Sequence, residues 1–225
     1  MKIIITCGPS FEPIDQVRRL TNFSTGELGV RLSTDLARAG FDVFCLKGSG
    51  ATHPGPDAPC RVTAFDTNDD LLARLRELGA AHDIAAVCHV AALCDYRVQG
   101  VVDYQGRSCA SAKIASRGGP LTLTLEPATK VISQLRGTFP RSLLIGWKYE
   151  LAGTRAAALA QAARQLAENH TDACVLNGQA FGPGFAFCRM GQPEHPLADK
   201  AEVARFLTGW LRERLAVEKR ATSGG

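Results

Sequence analysis

The feature that most constrains this chain lies at its start. Ile3, Ile4 and Ile5 form an apolar run without alternation, which predicts a buried strand. Val30, Leu32, Leu36 and Ala37 recur at helical spacing further on. Between them lie residues 7–29, CGPSFEPIDQVRRLTNFSTGELG. Strand, loop and amphipathic helix at the N-terminus form the entry to a nucleotide-binding α/β fold. The loop is not a dinucleotide turn, because Gly8, Gly26 and Gly29 are too far apart for G-x-G-x-x-G. It offers a helix N-terminus instead. Ser24 and Glu27 have capping-box spacing, which predicts Ser24 as N-cap and turns the amides of Thr25, Gly26 and Glu27 towards a phosphate. A cap alone would account for that pair. The crowding of Asn22, Ser24, Thr25 and Gly26, with Arg18 just upstream, favours a ligand.

The 225 residues, 45% hydrophobic, suit one large domain with a full core. A net charge of +4, scattered along the chain, gives no footprint for nucleic acid. No apolar run approaches the roughly 20 residues of a membrane span. MKIIIT reads as a strand, not a signal peptide. The 8 cysteines form no C-x-x-C and mostly sit in apolar runs. They read as reduced core residues of a cytoplasmic protein, and no metal site is expected.

Further strands are predicted at 42–47, 61–65, 84–90, 143–148, 173–176 and 185–188. Helices are predicted at about 25–39, 69–78, 156–169 and 201–215, with one starting at Pro127. The run Ile84–Val90 is apolar throughout, as a central strand buried on both faces would be. Residues 98–120 lack helical period and read as a mobile loop carrying Lys113. LTLTL at 121–125 alternates like an edge strand. The expected architecture is a Rossmann-like open, mostly parallel sheet with helices on both faces. Residues 1–216 form a single domain and 217–225 a frayed tail.

Ligands of such sheets sit beyond the carboxyl ends of the strands. Three strand ends bring Gly8–Gly26, His89–Asp95 and Trp147–Lys148 there, and the loop adds Lys113. The set is cationic and rich in glycine, suited to polyphosphate binding and group transfer. Each residue also has a plainer reading: Asp95 as a turn cap, Lys113 as a surface lysine, Lys148 as a snorkelling edge residue, His89 as a core histidine.

On these residues the chain resembles the phosphopantothenate–cysteine ligase (phosphopantothenoylcysteine synthetase) family of coenzyme A biosynthesis, in its monofunctional form. The family's first motif is matched in register by Gly8, Pro9, Ser10, Glu12, Ile14, Asp15, Val17 and Arg18. It continues through Thr21, Asn22, Ser24, Thr25 and Gly26. Weaker matches follow in order at His89–Tyr96, Lys113–Ser116, Gly146–Lys148 and Leu176–Gly178. The resemblance implies that a carboxylate attacks the α-phosphate of ATP or CTP, brought with Mg²⁺, and that cysteine's amine opens the acyl-nucleotidylate. It implies catalytic roles for Asn22, on the acyl intermediate, and Lys113, on the triphosphate. Arg18, Ser24, Thr25, Gly26 and Ala92 would bind substrate. Gly8, Ser10, His89, Val90, Ala91, Asp95, Trp147, Lys148 and Arg164 would line the nucleotide. It also implies a homodimer.

The chain departs from the family pattern at several positions. Trp147 replaces a Phe, Gly178 an Asp, and Arg164 with Glu168 a pair of lysines; Phe23 and Glu27 also differ. These bear on nucleotide choice and catalytic competence more than on fold. Two other functions stay open: a non-catalytic relative that binds nucleotide or acyl-phosphate, and an NAD(P)-dependent oxidoreductase. Against the latter stand the missing glycine fingerprint and Lys47, where an acidic residue would hold the ribose.

Overall fold

The computed structural model describes residues 1–109, 113–115 and 118–223. In chain order the elements are β1 (Lys2–Cys7), β2 (Phe11–Pro13), β3 (Arg19–Thr21), α1 (Glu27–Arg38), β4 (Asp42–Gly48) and β5 (Arg61–Phe65). Next come α2 (Asn68–Ala81), β6 (Ile84–His89), β7 (Tyr96–Asp103), β8 (Leu121–Pro127), α3 (Ile132–Thr138) and β9 (Leu143–Tyr149). The chain continues through α4 (Arg155–Asn169), β10 (Ala173–Asn177), β11 (Phe185–Cys188), β12 (His195–Leu197) and α5 (Lys200–Ser223).

An 8-stranded sheet runs β5-β4-β1-β6-β9-β10-β11-β12. From β5 to β10 every neighbouring pair is parallel, while β11 is antiparallel to β10 and β12 to β11. This is the open, mostly parallel sheet expected from the sequence, and its order is doubly wound, with a switch point between β1 and β6. The apolar runs lack alternation because both faces are covered. Ile3 and Ile5 enter one core, with α1 and α5, while Ile4 enters another, with α2 and α3. Ala158, Ala162 and Leu166 of α4 close over Cys174 and Leu176 of β10 in a third.

Several expectations need correction. α1 begins at Glu27, not Thr25, and its N-cap is Gly26 at φ 80°, with no side-chain cap. Ser24 is therefore not the N-cap, and the capping box does not form. Pro127 ends β8, and α3 starts only at Ile132. Residues 98–103 are strand, not loop: β7 pairs antiparallel with β8 in a ribbon of its own. LTLTL therefore belongs to that ribbon and not to an edge of the main sheet. Of the expected mobile loop, residues 110–112 and 116–117 lie outside the described residues, as does Ser116 of its motif. α5 continues to Ser223, into the stretch read as frayed. No helix among the described residues is long and apolar enough to cross a membrane.

Candidate active site at the β1–β6 switch point

At the switch point the two central strands stay paired beyond the sheet. The amide of Val90 donates to the Thr6 carbonyl at 3.0 Å and that of Ala92 to the Gly8 carbonyl at 2.9 Å. The Ser10 amide returns to the Ala92 carbonyl at 3.2 Å. Ser10 is fully buried, and its hydroxyl accepts the Cys94 amide at 2.8 Å. Its side chain thus braces the loop after β6. Thr6 Oγ1 accepts the Ala91 amide at 3.3 Å and lies 2.8 Å from His89 Nδ1. His89 is 6% exposed, and burial pushes its pKa down to about 4. It is a neutral, satisfied histidine that shapes the loop from below. Asp95 is exposed, and its carbonyl takes the Ala128 amide at 2.9 Å.

The loop after β1 folds back over this floor as a hairpin, β2 against β3. Thr21 Oγ1 donates to the Ser10 carbonyl at 2.7 Å, and Asn22 Nδ2 to the Leu93 carbonyl at 2.7 Å. Asn22 is otherwise exposed, so one amide proton is anchored while the rest of the group faces solvent. Beside it the backbones pack without room for side chains. A Cβ on Gly8 would lie 2.6 Å from the Ala51 Cβ, and one on Gly26 3.1 Å from the same atom. Both glycines have φ of 80°, so glycine is required on two counts. Thr25 Oγ1 accepts the Glu27 amide at 3.3 Å, the nearest thing to a cap at this helix end. Glu27 itself binds Arg31 at 2.9 Å and Lys200 of α5 at 2.5 Å. Ser24, Thr25 and Gly26 therefore reach the carboxyl edge together with Gly8, Asn22 and Ala92. Sequence reasoning missed Ala51 and Lys200, which belong to no motif, and the Leu93 carbonyl, a main-chain group inside the His89–Tyr96 segment.

At the end of β9 the expected pair splits. Trp147 packs with the α1–α5 core, whereas Lys148, next along the strand, points to the opposite face. Lys148 Nζ binds Glu150 at 3.1 Å. Arg164 stands apart altogether. It lies nine residues into α4 from Arg155, about 14 Å from the helix start at 1.5 Å per residue. There it forms an exposed pair with Glu168 at 3.9 Å. Its partners, Gln161 and Glu168, both lie on α4.

Lys113 is exposed. Its neighbour Ile114 is buried and bonded to Asp15 and Arg18. Arg18 is thus engaged with protein groups. A cleft of about 250 Å³ between hairpin and ribbon, lined by Pro13, Ile14, Val98, Gly100, Ser108 and Cys109, includes none of the carboxyl-edge residues. No group of three or more potential metal ligands occurs among the described residues.

Residues 1–214 match the model of the DNA/pantothenate metabolism flavoprotein C-terminal domain. The chain belongs to that family. The resemblance read from residues 8–26 is borne out at this level. Curated relatives include two proteins named coenzyme A biosynthesis bifunctional protein CoaBC. That of Thermococcus kodakarensis is 27% identical over 80% of this chain and 42% of its own length. That of Vibrio cholerae is 28% identical over 95% and 53%. The chain thus spans about half the length of these relatives. Among solved structures, the DNA/pantothenate metabolism flavoprotein from Streptococcus pneumoniae has a TM-score of 0.84 at 24% identity, covering 95% of this chain and 99% of its own. A Cab2 variant in complex with phosphopantothenate-cysteine has a TM-score of 0.74 at 15% identity, covering 99% and 88%. These two likenesses carry the fold.

Within this family domain, two departures from the motif pattern acquire a physical reading. Gly178 has φ of 122°, and a Cβ there would lie 2.2 Å from the Glu150 carbonyl oxygen. The turn after β10 is wrapped onto Glu150, whose amide donates to the Asn177 carbonyl and whose carbonyl accepts the Ala180 amide. No L-residue fits, so glycine here is a requirement of the loop. Glu168 pairs with Arg164 on the exposed surface of α4 at 3.9 Å, so the charge change is set against an arginine of the same helix.

Proposed function

We propose that the chain is a ligase that joins 4′-phosphopantothenate to cysteine through an acyl-nucleotidylate, using ATP or CTP with Mg²⁺. One observation carries this reading. In a domain of this family, the amide of Asn22 is seated on the Leu93 carbonyl at the switch point, within the turn that leads to the α1 N-terminus. The Cab2 structure obtained with phosphopantothenate-cysteine shares this fold and supports the same choice of substrate.

In the first step a carboxylate oxygen attacks the α-phosphate and pyrophosphate leaves. In the second, the cysteine amine attacks the acyl carbon and the nucleoside monophosphate leaves. Both steps develop negative charge on oxygen, where a preorganised amide donor stabilises the transition state. Asn22 is that donor, oriented through Leu93. Gly8, Thr25 and Gly26 present main chain to the phosphates, Ser24 its hydroxyl, and Val90, Ala91 and Ala92 line the base and acyl side. Lys148 meets the nucleotide from the end of β9, and Trp147 supports that end from the α1–α5 core. Lys113 offsets charge on the triphosphate. Mg²⁺ brought with the triphosphate would supply charge neutralisation there. The working unit is a homodimer paired through the β7–β8 ribbon, where Leu121, Leu123 and Leu125 are exposed.

The test is pyrophosphate release with phosphopantothenate, cysteine, Mg²⁺ and each triphosphate in turn. Release that depends on phosphopantothenate is expected. Triphosphate binding without turnover would mark a non-catalytic relative, and binding of nicotinamide dinucleotide alone would overturn the ligase reading.

A further inference from the structure

Ile114 is held in a way that neither helix nor sheet requires. Its amide donates to Asp15 Oδ2 at 3.1 Å, and its carbonyl accepts from Nη1 and Nη2 of Arg18, each at 3.2 Å. Arg18 Nη1 also donates to Asp15 Oδ2 at 2.6 Å. One ion pair therefore engages both main-chain polar groups of a single residue nearly a hundred positions away. Ile114 is 4% exposed, while Lys113 and Ala115 on either side are exposed. A buried side chain between exposed neighbours, tied by its own backbone, is an anchor point.

The pair is rigid before it meets Ile114. Asp15 Oδ1 accepts the amides of Val17 at 2.9 Å and Arg18 at 2.7 Å. The Arg18 carbonyl accepts the Ile14 amide at 2.9 Å, closing the turn. Burial pushes the Asp15 carboxyl up, but the amides of Ile114, Val17 and Arg18 and the guanidinium more than offset it. Its pKa is held below the ordinary value, and it is charged at neutral pH. Hydrogen bonds from and to charged groups are the stronger kind, and the planar arginine fork suits a carbonyl and a carboxylate at once.

We propose that Asp15 and Arg18 form a latch that sets where Lys113 stands, and that both are positioning residues acting through Lys113. The inference rests on the triphosphate role of Lys113 given above. Lys113 and Ile114 have α-carbons about 3.8 Å apart, so fixing Ile114 holds the lysine's backbone in a small volume beside the Asp15–Arg18 turn. A lysine on an untethered segment would visit that volume rarely. The latch raises its effective concentration there, and a displacement of about 1 Å is enough to cost on the order of 100-fold in rate.

The experiment combines hydrogen exchange with kinetics on the full chain. Without ligands, the Ile114 amide should exchange slowly in the wild type and fast in Arg18→Met and Asp15→Ala, with urea unfolding confirming that each variant folds. If Asp15→Ala does not fold, Asp15→Asn, which keeps an acceptor but loses the charge, should show intermediate protection. Arg18→Met should raise the triphosphate KM and lower kcat, together by on the order of 10- to 100-fold, with the phosphopantothenate KM within about twofold. Arg18→Lys should recover only part, since one ammonium replaces a fork. Arg18→Met combined with Lys113→Ala should be no slower than the worse single variant. Multiplying losses, or a rise confined to the phosphopantothenate KM, would mean that Arg18 touches substrate itself and would overturn the latch. A wild-type Ile114 amide that exchanges fast would overturn it too. Absence of turnover in the wild type would sink the ligase reading alone, since exchange at Ile114 still decides the latch.

Discussion

The Asn22 side-chain amide is anchored by the bond from Nδ2 to the Leu93 carbonyl. Asn22→Ala removes that tether and the donor together, yet the residue is exposed and its loss should leave the fold intact. Ligation should fall by roughly 3 kcal/mol of transition-state stabilisation, about the worth of one oxyanion donor. Pyrophosphate release and trapping of the acyl-nucleotidylate measure it; wild-type turnover would remove Asn22 from the mechanism. His89 yields a pH prediction. Its native pKa of about 4 lies below the ordinary 6.5 of a histidine. Above pH 6.5 it is neutral in both the folded and unfolded chain. Between 6.5 and 4 the unfolded chain takes up a proton that the native one refuses, so stability falls as the pH falls through that window. The loss is on the order of 3 kcal/mol. Melting temperatures of the wild type and His89→Gln across that range should converge towards the acid end; parallel curves would mean that His89 is not neutral by burial.

Among the elements, β1, β4, β6, β9 and β10 of the main sheet were legible because burial on both faces leaves an apolar run, whereas the edge strand β12, His195–Leu197, is too short and too exposed to leave one. The ribbon was not legible either. β7, YRVQGVVD, mixes polar residues with Gly100, and its partner strand begins at Leu121, beyond a long intervening segment. β2 and β3 have 3 residues each and carry Glu12, Pro13 and Arg19, so their pairing left no pattern to read. The capping box misled for a different reason. Ser24 and Glu27 have the right spacing, but Gly26 must take a left-handed turn to lie against Gly8, and that delays the helix start. Of the site, the motif loops were legible, whereas Ser10 and His89 proved to be internal braces because their hydroxyl and ring bond protein groups out of a ligand's reach. The turn after β10 supplies a separate test. Gly178→Asp restores the common family residue, yet should destabilise the chain by at least about 2 kcal/mol through backbone strain and the clash with Glu150. Urea unfolding checks it; an unchanged midpoint would mean that the turn relaxes freely.

For the whole molecule, the ribbon stands outside the main sheet and shows Leu121, Leu123 and Leu125 at 36–43% exposure. Sedimentation at micromolar concentration should give a dimer, and Leu123→Glu should shift it to monomer while the ribbon itself persists. A wild-type monomer under those conditions would refute the pairing. The crowding at Ala51 has a consequence for how this protein could change. Its methyl group is the common neighbour of the Gly8 and Gly26 turns, yet it sits in a surface loop outside every motif. Variation at residue 51 is therefore a route by which drift or directed evolution could retune both turns in one step, leaving every motif residue in place.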